Sequence, residues 1–354
     1  MNQQIRFCAG FDGTRLAYTL TGKGAPLVKA PHWLTHLEYE WQSPIWRPWI
    51  EGLSASHKLL RMDARGCGLS DWEAAEITFE AMVRDFSDIV DAAGLESFAL
   101  FGHSQGGAIA VEYAARNPQR VAHLVLLGAF ARGAMLRDPT PERVEELQAL
   151  LKLIEVGWGR DDPLYRQMVS LQFMPGATTE QIRALSEIQR VSTTPRNAVR
   201  IIEALQMADV REAARKVRCP TLLMHARGDR RIPYDESLLL ASLIPGARFL
   251  PLDSENHVLM PQEPAWRQFF AELEAFVPRA AGTGSVAQFA TLTPRETEVL
   301  ERIAQGLDNA QIAAHLELSE KTVRNHITRI FDKLGVESRA QAIVLARNGG
   351  LGLL

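Results

Sequence analysis

Cysteine is scarce in this 354-residue sequence: Cys8, Cys67 and Cys219 stand far apart and no C-x-x-C pair occurs. The spacing excludes a zinc finger, and the scarcity suits a reducing compartment. Long apolar runs are missing too, since no stretch approaches the roughly 18 residues that a membrane-spanning helix needs. The opening MNQQIRFCAGFDG lacks a basic segment followed by an apolar one, so no secretory leader is expected and a cytoplasmic location is. Charge of one sign is also lacking: 39 Lys and Arg face 42 Asp and Glu, a net of −3. The chain therefore has no polybasic signature, and no membrane partner is expected. Repeats and low-complexity tracts are absent. No metal-ligand spacing or cofactor motif stands out, so neither a metal nor a cofactor is expected.

What is present is an ordinary globular composition, 46% hydrophobic, with length enough for two domains. IRFCAG and TRLAYTL flank Asp12-Gly13, a hairpin signal because both residues tolerate positive φ. PLVKA, HKLLRMD, FALFG and HLVLLGA are short apolar runs of the kind buried in a parallel sheet, and helical stretches separate the later ones. Strands alternating with helices predict an α/β sheet covered on both faces. Residues 132–214 break the rhythm with helices alone, which reads as a lid over the strand ends. Strands resume with TLLMHARGD and ARFLPLD, and AWRQFFAELEAFV closes a first domain at about residue 278. Small residues without periodicity at 279–290 read as a linker.

Residues 291–354 predict a small all-α domain of four helices. Thr293, Pro294 and Glu296 form a capping box with Pro at N1, and Asp308 with Gln311 repeats the arrangement. Ser319 and Ser338 open two further helices, while Gly335 and Gly349 stand where helices end. The third helix has two faces. Val323, Ile327, Ile330 and Leu334 make one apolar stripe, and Lys321, Arg324, Asn325 and Thr328 lie off it. A guanidinium and an amide are the groups best shaped for bidentate pairing with guanine and adenine edges. The segment 291–354 is neutral, but helix 319–334 has four cations against two carboxylates, so positive charge concentrates on the candidate reading helix.

A solvated helical bundle would satisfy that periodicity equally well; a resemblance decides between them. The stretch LTPRETEVLERIAQGLDNAQIAAHLELSEKTVRNHITRIFDKLGVESRAQAIVLARNGGL resembles the LuxR-type helix-turn-helix domain over essentially its whole length. The resemblance implies that the helix beginning at Ser319 enters the major groove of double-stranded DNA, with Arg324, Asn325 and Thr328 toward bases. It implies that Lys321, Thr322, His326 and Lys333 hold phosphates or fix the helix. It also implies a homodimer, paired through the last helix, on an inverted-repeat operator. Asp308 stands where the family often has Ser, a departure that still leaves a capping residue.

In the first domain FALFGHSQGGAIA reads strand, sharp turn, helix, with Ser104 at the turn among Gly102, Gly106 and Gly107. Asp229 ends a strand-like run and His257 follows in DSENHV. Asp229 would orient His257, which would deprotonate Ser104. This Ser, Asp, His order resembles that of the α/β-hydrolase fold, a mostly parallel sheet with a helical lid, over about residues 5–278. The D-x-R-G-x-G-x-S pattern in MDARGCGLSD and the GDRRIP segment belong to the same resemblance. It implies an oxyanion hole from the backbone N–H groups of Trp33 and Gln105. Where many hydrolases have His-Gly, this chain has Pro31-His32-Trp33, so His32 puts the shape of that turn in question. Trp33, Trp41, Trp46 and Trp49 crowd the same region, as core packing or as an aromatic pocket lining. His32, His36, His103 and His225 read as pocket or structural histidines.

Three functions fit. The first is a ligand-sensing transcription regulator whose hydrolase-like domain binds a small hydrophobic or ester- or lactone-like molecule. The second is a working serine esterase, lactonase or amidase with a DNA-binding reporter domain. The third, a dimerisation scaffold, leaves Ser104, Asp229 and His257 unexplained. Sensing ranks first, because a signal destroyed quickly cannot hold a switch in one state.

Overall fold

The computed structural model describes residues 3–160, 162–277, 289, 291–336, 338–348 and 351. Two compact units, Met1–Val277 and Pro278–Leu354, divide the chain. The linker expected at 279–290, apart from Phe289, and the helix-ending role of Gly349 lie outside the described residues.

The apolar runs build one sheet. Its strands are β1 (Gln4–Ala9), β2 (Arg15–Thr21), β3 (Ala25–Lys29), β4 (His57–Met62), β5 (Phe98–His103), β6 (Val121–Leu127), β7 (Thr221–Ala226) and β8 (Arg248–Leu252). They lie in the order β1-β2-β4-β3-β5-β6-β7-β8. β1 and β2 form the antiparallel hairpin expected around Gly13, which has φ 84°. β2 meets β4 antiparallel, and the other neighbours are parallel. β5 and β7 are buried at every position because helices cover both faces. Side chains on successive residues point oppositely, so alternate positions feed two cores. Leu100, Leu124 and Leu126 pack with Phe86 and Tyr113 on one face, and Phe101, Val125 and Leu127 with Trp49 and Phe269 on the other.

Around the sheet run α1 (Leu37–Gln42), α2 (Trp46–Ser54), α3 (Phe79–Ala92) and α4 (Gln105–Arg116). Residues 132–214 contain α5 (Pro141–Gly157), α6 (Pro163–Phe173), α7 (Thr179–Ser192), α8 (Pro195–Gln206) and α9 (Arg211–Ala214), with no strand. Thr140, Thr178 and Thr194 each cap the helix that follows, so the starts are written locally. α10 (Tyr234–Leu243) and α11 (Pro264–Phe276) complete the unit. No separate sequence signal marks α1, α2 or α10: α1 has six residues, too few for a period, and α10 has no distinct apolar face.

The D-x-R-G-x-G-x-S loop acts as a clamp on the lid. Arg65 is fully buried and pairs with Asp85 and Asp12, while Asp63 accepts from the N–H groups of Leu37 and Leu69. Gly68 (φ 56°) is forced to be glycine, since a Cβ there would sit 2.3 Å from Asp63 Oδ2. The loop then grips the α7–α8 junction: Gly68 N–H donates to Ser192 O, Thr193 Oγ1 to Gly66 O, and Asn197 Nδ2 to Trp72 O.

The second unit consists of α12 (Pro294–Ala304), α13 (Asn309–Leu316), α14 (Glu320–Leu334) and α15 (Arg339–Asn348). Both capping boxes have both of their bonds, and Ser319 and Ser338 accept from the N–H groups of Thr322 and Gln341. Asp308 caps as Ser would. Val299, Leu300, Ile303, Ile312, Val323, Ile330 and Leu334 form the core, with Ile327 half-buried against it.

Candidate catalytic site and nucleic-acid interface

Ser104 lies between β5 and α4 at φ 56°, ψ −126°, a region that side chains rarely adopt and that costs about 1–3 kcal/mol to hold. The surroundings enforce it. A Cβ on Gly102 would come within 2.7 Å of the Gly107 Cα, and one on Gly107 within 2.4 Å of the Ala129 Cβ, so strand and helix meet only through glycine.

Asp229 follows β7 and His257 follows β8, so the parallel order brings the ends of β5, β7 and β8 to one edge of the sheet. His257 Nδ1 donates to Asp229 Oδ2 at 2.6 Å, and both side chains are 1% exposed. Asp229 Oδ1 accepts from the N–H groups of Arg231 at 2.7 Å and Ile232 at 3.0 Å. Burial opposes ionisation of Asp229, but His257, His225 and the backbone donor together outweigh it and keep its carboxyl below the usual value. His257 Nε2 is buried and has no hydrogen-bond partner among the described residues, so Ser104 Oγ does not hydrogen-bond to it here. The other histidines are structural. His103 donates from Nε2 to His257 O at 3.1 Å and stacks on its ring, and burial holds it neutral with a pKa pushed down to about 3. His225 donates from Nε2 to Ile232 O, and His36 caps α1.

The sequence left the shape of the turn at His32 in question. His32 is not among the positive-φ residues; Leu34 takes that role at φ 59°. The His32 ring turns inward, 3% exposed, against Trp46 at 4.0 Å and 2.6 Å from Lys29 Nζ. Beneath it lies a buried ionic group that sequence reasoning missed. Arg61 pairs with Glu40 at 2.9 Å, burial brings Lys29 down to about 8, and burial raises Asp63 to about 7. The N–H groups of Trp33 and of Gln105, the latter in the uncapped first turn of α4, find no acceptor among the described residues.

The tryptophans divide between the two roles. Trp46 and Trp49 are core, and Trp41 is half-buried beside Arg61. Trp33 instead stacks on Phe173 at 5.2 Å and walls a cavity of about 110 Å³. Ser104 and Gln105 open into that cavity, with Leu147 of α5, Phe173 of α6, and Ile202 and Leu205 of α8 opposite. It also contains Arg137, Arg143, Arg230 and Arg231, none of them singled out by the sequence. The available signal was Arg230-Arg231 directly after the acid Asp229; Arg137 and Arg143 carry no local mark.

In the second unit Lys321, Arg324, Asn325 and Thr328 are exposed on α14, and His326 is half-buried. Thr328 bonds back to Arg324 O, while Thr322 is engaged with Ser319 at the helix start. Lys333 is exposed but pairs with the buried Glu296 at 2.7 Å, a contact that fixes α14 against α12.

Comparison with known proteins agrees with this geometry. Residues 290–346 match the family described as bacterial regulatory proteins, luxR family, and residues 37–155 match the family described as alpha/beta hydrolase fold. RutD of Azorhizobium caulinodans, a protein named for carbamate hydrolysis, is 31% identical over 68% of this chain and 88% of its own length. An esterase from Exiguobacterium antarcticum superposes with a TM-score of 0.64 over 76% of this chain and 98% of that one, at 23% identity. An enol-lactonase from Burkholderia xenovorans LB400 does so at 0.60 over 77% and 99%, also at 23% identity. No helix of the described residues is long and apolar enough to cross a membrane.

Proposed function

The chain belongs to the α/β-hydrolase family and ends in a regulatory domain of the luxR family, and on that premise we propose that it is a DNA-binding regulator answering to a small acyl compound held at Ser104. The observation that carries the reading is the His257–Asp229 pair, whose Nε2 finds no partner among the described residues, together with a strained serine that opens into a cavity. Such a site engages a carbonyl compound by attack of Ser104 Oγ on the acyl carbon. His257 accepts the hydroxyl proton at Nε2 while Asp229 holds its Nδ1–H. The carbonyl oxygen, now an anion, accepts from the N–H groups of Gln105 and Trp33. The proton on His257 passes to the departing alcohol or amine, and water then releases the acid. An ester, a lactone or a carbamate fits this chemistry, the last being the bond for which RutD is named.

The regulatory half of the reading rests on the exposed Arg324, Asn325 and Thr328 face. It acts as a homodimer, paired through α15, on an inverted repeat. The test uses the full chain. A duplex is selected from a random pool, and its Kd is measured before and after Ser104 is modified by a fluorophosphonate. We expect an inverted repeat and at least about a threefold change in Kd on modification, absent in Ser104→Ala. An affinity that ignores modification of Ser104 overturns the coupling.

One observation favours a second reading, in which turnover itself matters: the oxyanion turn keeps ordinary backbone at His32 and leaves both N–H groups without acceptors. In that reading the chain hydrolyses p-nitrophenyl acetate and Ser104→Ala abolishes the rate. A wild-type rate equal to that of Ser104→Ala removes it.

A further inference from the structure

Four arginines line the cavity at Ser104, and three of them have side-chain partners. Arg143 pairs with Glu146 at 2.7 Å and Arg230 with Glu255 at 3.3 Å. Arg137 donates to Arg132 O and lies 3.8 Å from Glu236, whose carboxylate is already taken by Arg132. Arg231 differs. Its backbone N–H serves Asp229, but its guanidinium has no hydrogen bond or ion pair among the described residues. Asp229 attracts it from nearby, yet both carboxylate oxygens are occupied by His257 and by backbone donors. The guanidinium carbon sits 5.4 Å from the centre of the Phe173 ring, and that ring meets His257 edge-on at 5.9 Å. A half-buried guanidinium without a hydrogen-bond partner among the described residues thus stands one aromatic ring away from the base, lining the cavity that Ser104 enters.

We propose that the ligand bears a free carboxylate, gripped by the Arg231 guanidinium, with its acyl carbonyl at Ser104. This deepens the reading of the cavity as the ligand site and rests on it. A guanidinium held partly away from bulk water without hydrogen-bond acceptors favours an arriving anion, and its planar fork matches a carboxylate through two parallel hydrogen bonds. Burial pulls Arg231 below its ordinary pKa, and a bound anion relieves that penalty. Two features set the size and valence. About 110 Å³ bounded by Trp33, Phe173 and Leu205 admits a short acyl chain, and one guanidinium without hydrogen-bond acceptors calls for one carboxylate. The compound is therefore the ester, lactone or carbamate of a short acid that keeps one carboxylate free.

Titration calorimetry on the full chain tests this with two probes of equal length, monomethyl succinate and methyl butyrate, which differ by a carboxylate in place of a methyl group. Ser104→Ala prevents turnover during the titration. We expect Ser104→Ala to bind the acid at least about tenfold more tightly than the neutral ester. Adding Arg231→Gln should bring the two within about threefold, whereas Arg231→Lys should give an intermediate ratio, since an ammonium keeps the charge and loses the fork. Melting curves establish that each variant is folded. If Arg231→Gln does not fold, the ratio in Ser104→Ala and its change in Arg231→Lys carry the test. Equal binding of the two probes, saturable binding of neither, or an acid preference that survives Arg231→Gln overturns the proposal. Failure of Ser104 as a nucleophile shows separately, as a wild-type chain that a fluorophosphonate does not label.

Discussion

Replacing Asp229 by Asn changes one atom, and the structure dictates the outcome. Oδ1 of Asp229 accepts from two backbone N–H groups, at 2.7 and 3.0 Å, so the amide must keep its oxygen there. Its NH2 then takes the place of Oδ2, facing His257 Nδ1 where the carboxylate stood at 2.6 Å and lying 3.4 Å from His225 Nε2. His225 Nε2 is itself a donor, committed to Ile232 O, so the amide cannot turn its hydrogens that way. His257 must present Nδ1 as acceptor and carry its proton on Nε2, the tautomer that cannot take a proton from Ser104. With the site 1% exposed, water cannot stand in. Loss of the correct tautomer in Ser-His-Asp triads costs about 10,000-fold. We therefore expect the second-order rate of fluorophosphonate labelling to fall about 1,000- to 10,000-fold, with a stability loss of about 1–3 kcal/mol from the mismatched donors. Labelling is followed on the full chain by intact mass, and stability by thermal melting. An Asn variant that labels within about tenfold of the parent would show that His257 is not the base, and the reasoning would fail.

Gly128 has φ 56° and a Cβ there would lie 3.0 Å from His257 Cε1, so Gly128→Ala should displace the imidazole and slow labelling about 100-fold without removing any polar group; an unchanged rate refutes this. On the reading helix, Arg324→Ala should cost about 1–3 kcal/mol on the selected duplex and blur one base position, checked by footprinting. Lys333→Ala should instead lower the melting temperature, by the loss of a partly buried pair worth about 1 kcal/mol, because Glu296 is left without its cation. Asp63 titrates at about 7 folded against an ordinary 3.8, so its contribution is fully present below about 3.8 and is lost as pH rises through about 7. The melting temperature of Asp63→Asn relative to wild type should therefore climb between pH 5 and pH 8; a difference that stays flat or falls contradicts the assignment.

Much of this architecture is local and so was readable in one dimension. The helix starts of the second unit follow from Thr293, Asp308, Ser319 and Ser338, each of which satisfies an N–H within three residues. The sheet followed from short, mostly apolar runs, and the sharp turn at Ser104 from the glycines on either side of it. The Ser104, Asp229, His257 order needed only a parallel sheet to bring three strand ends together.

What the chain order could not decide was how charges and rings, far apart in sequence, would be paired. Lys333 could hold a phosphate or fix its helix, and folding brings it to Glu296, 37 residues away, a contact that suits the second role. Four tryptophans within one segment looked alike, and only packing sent Trp46 and Trp49 into the core and Trp33 to the cavity wall. His32 raised a doubt about the oxyanion turn because a residue's name does not give its φ; the positive value fell on Leu34 instead. The arginines show the reason most directly. Each of four guanidiniums could have been the free one, and which carboxylate each meets depends on contacts across the lid and the strand ends. Local sequence determines the shape of each element, because propensities and caps act over a few residues. That the Arg231 guanidinium has no hydrogen-bond partner among the described residues is settled only once the other pairs have formed.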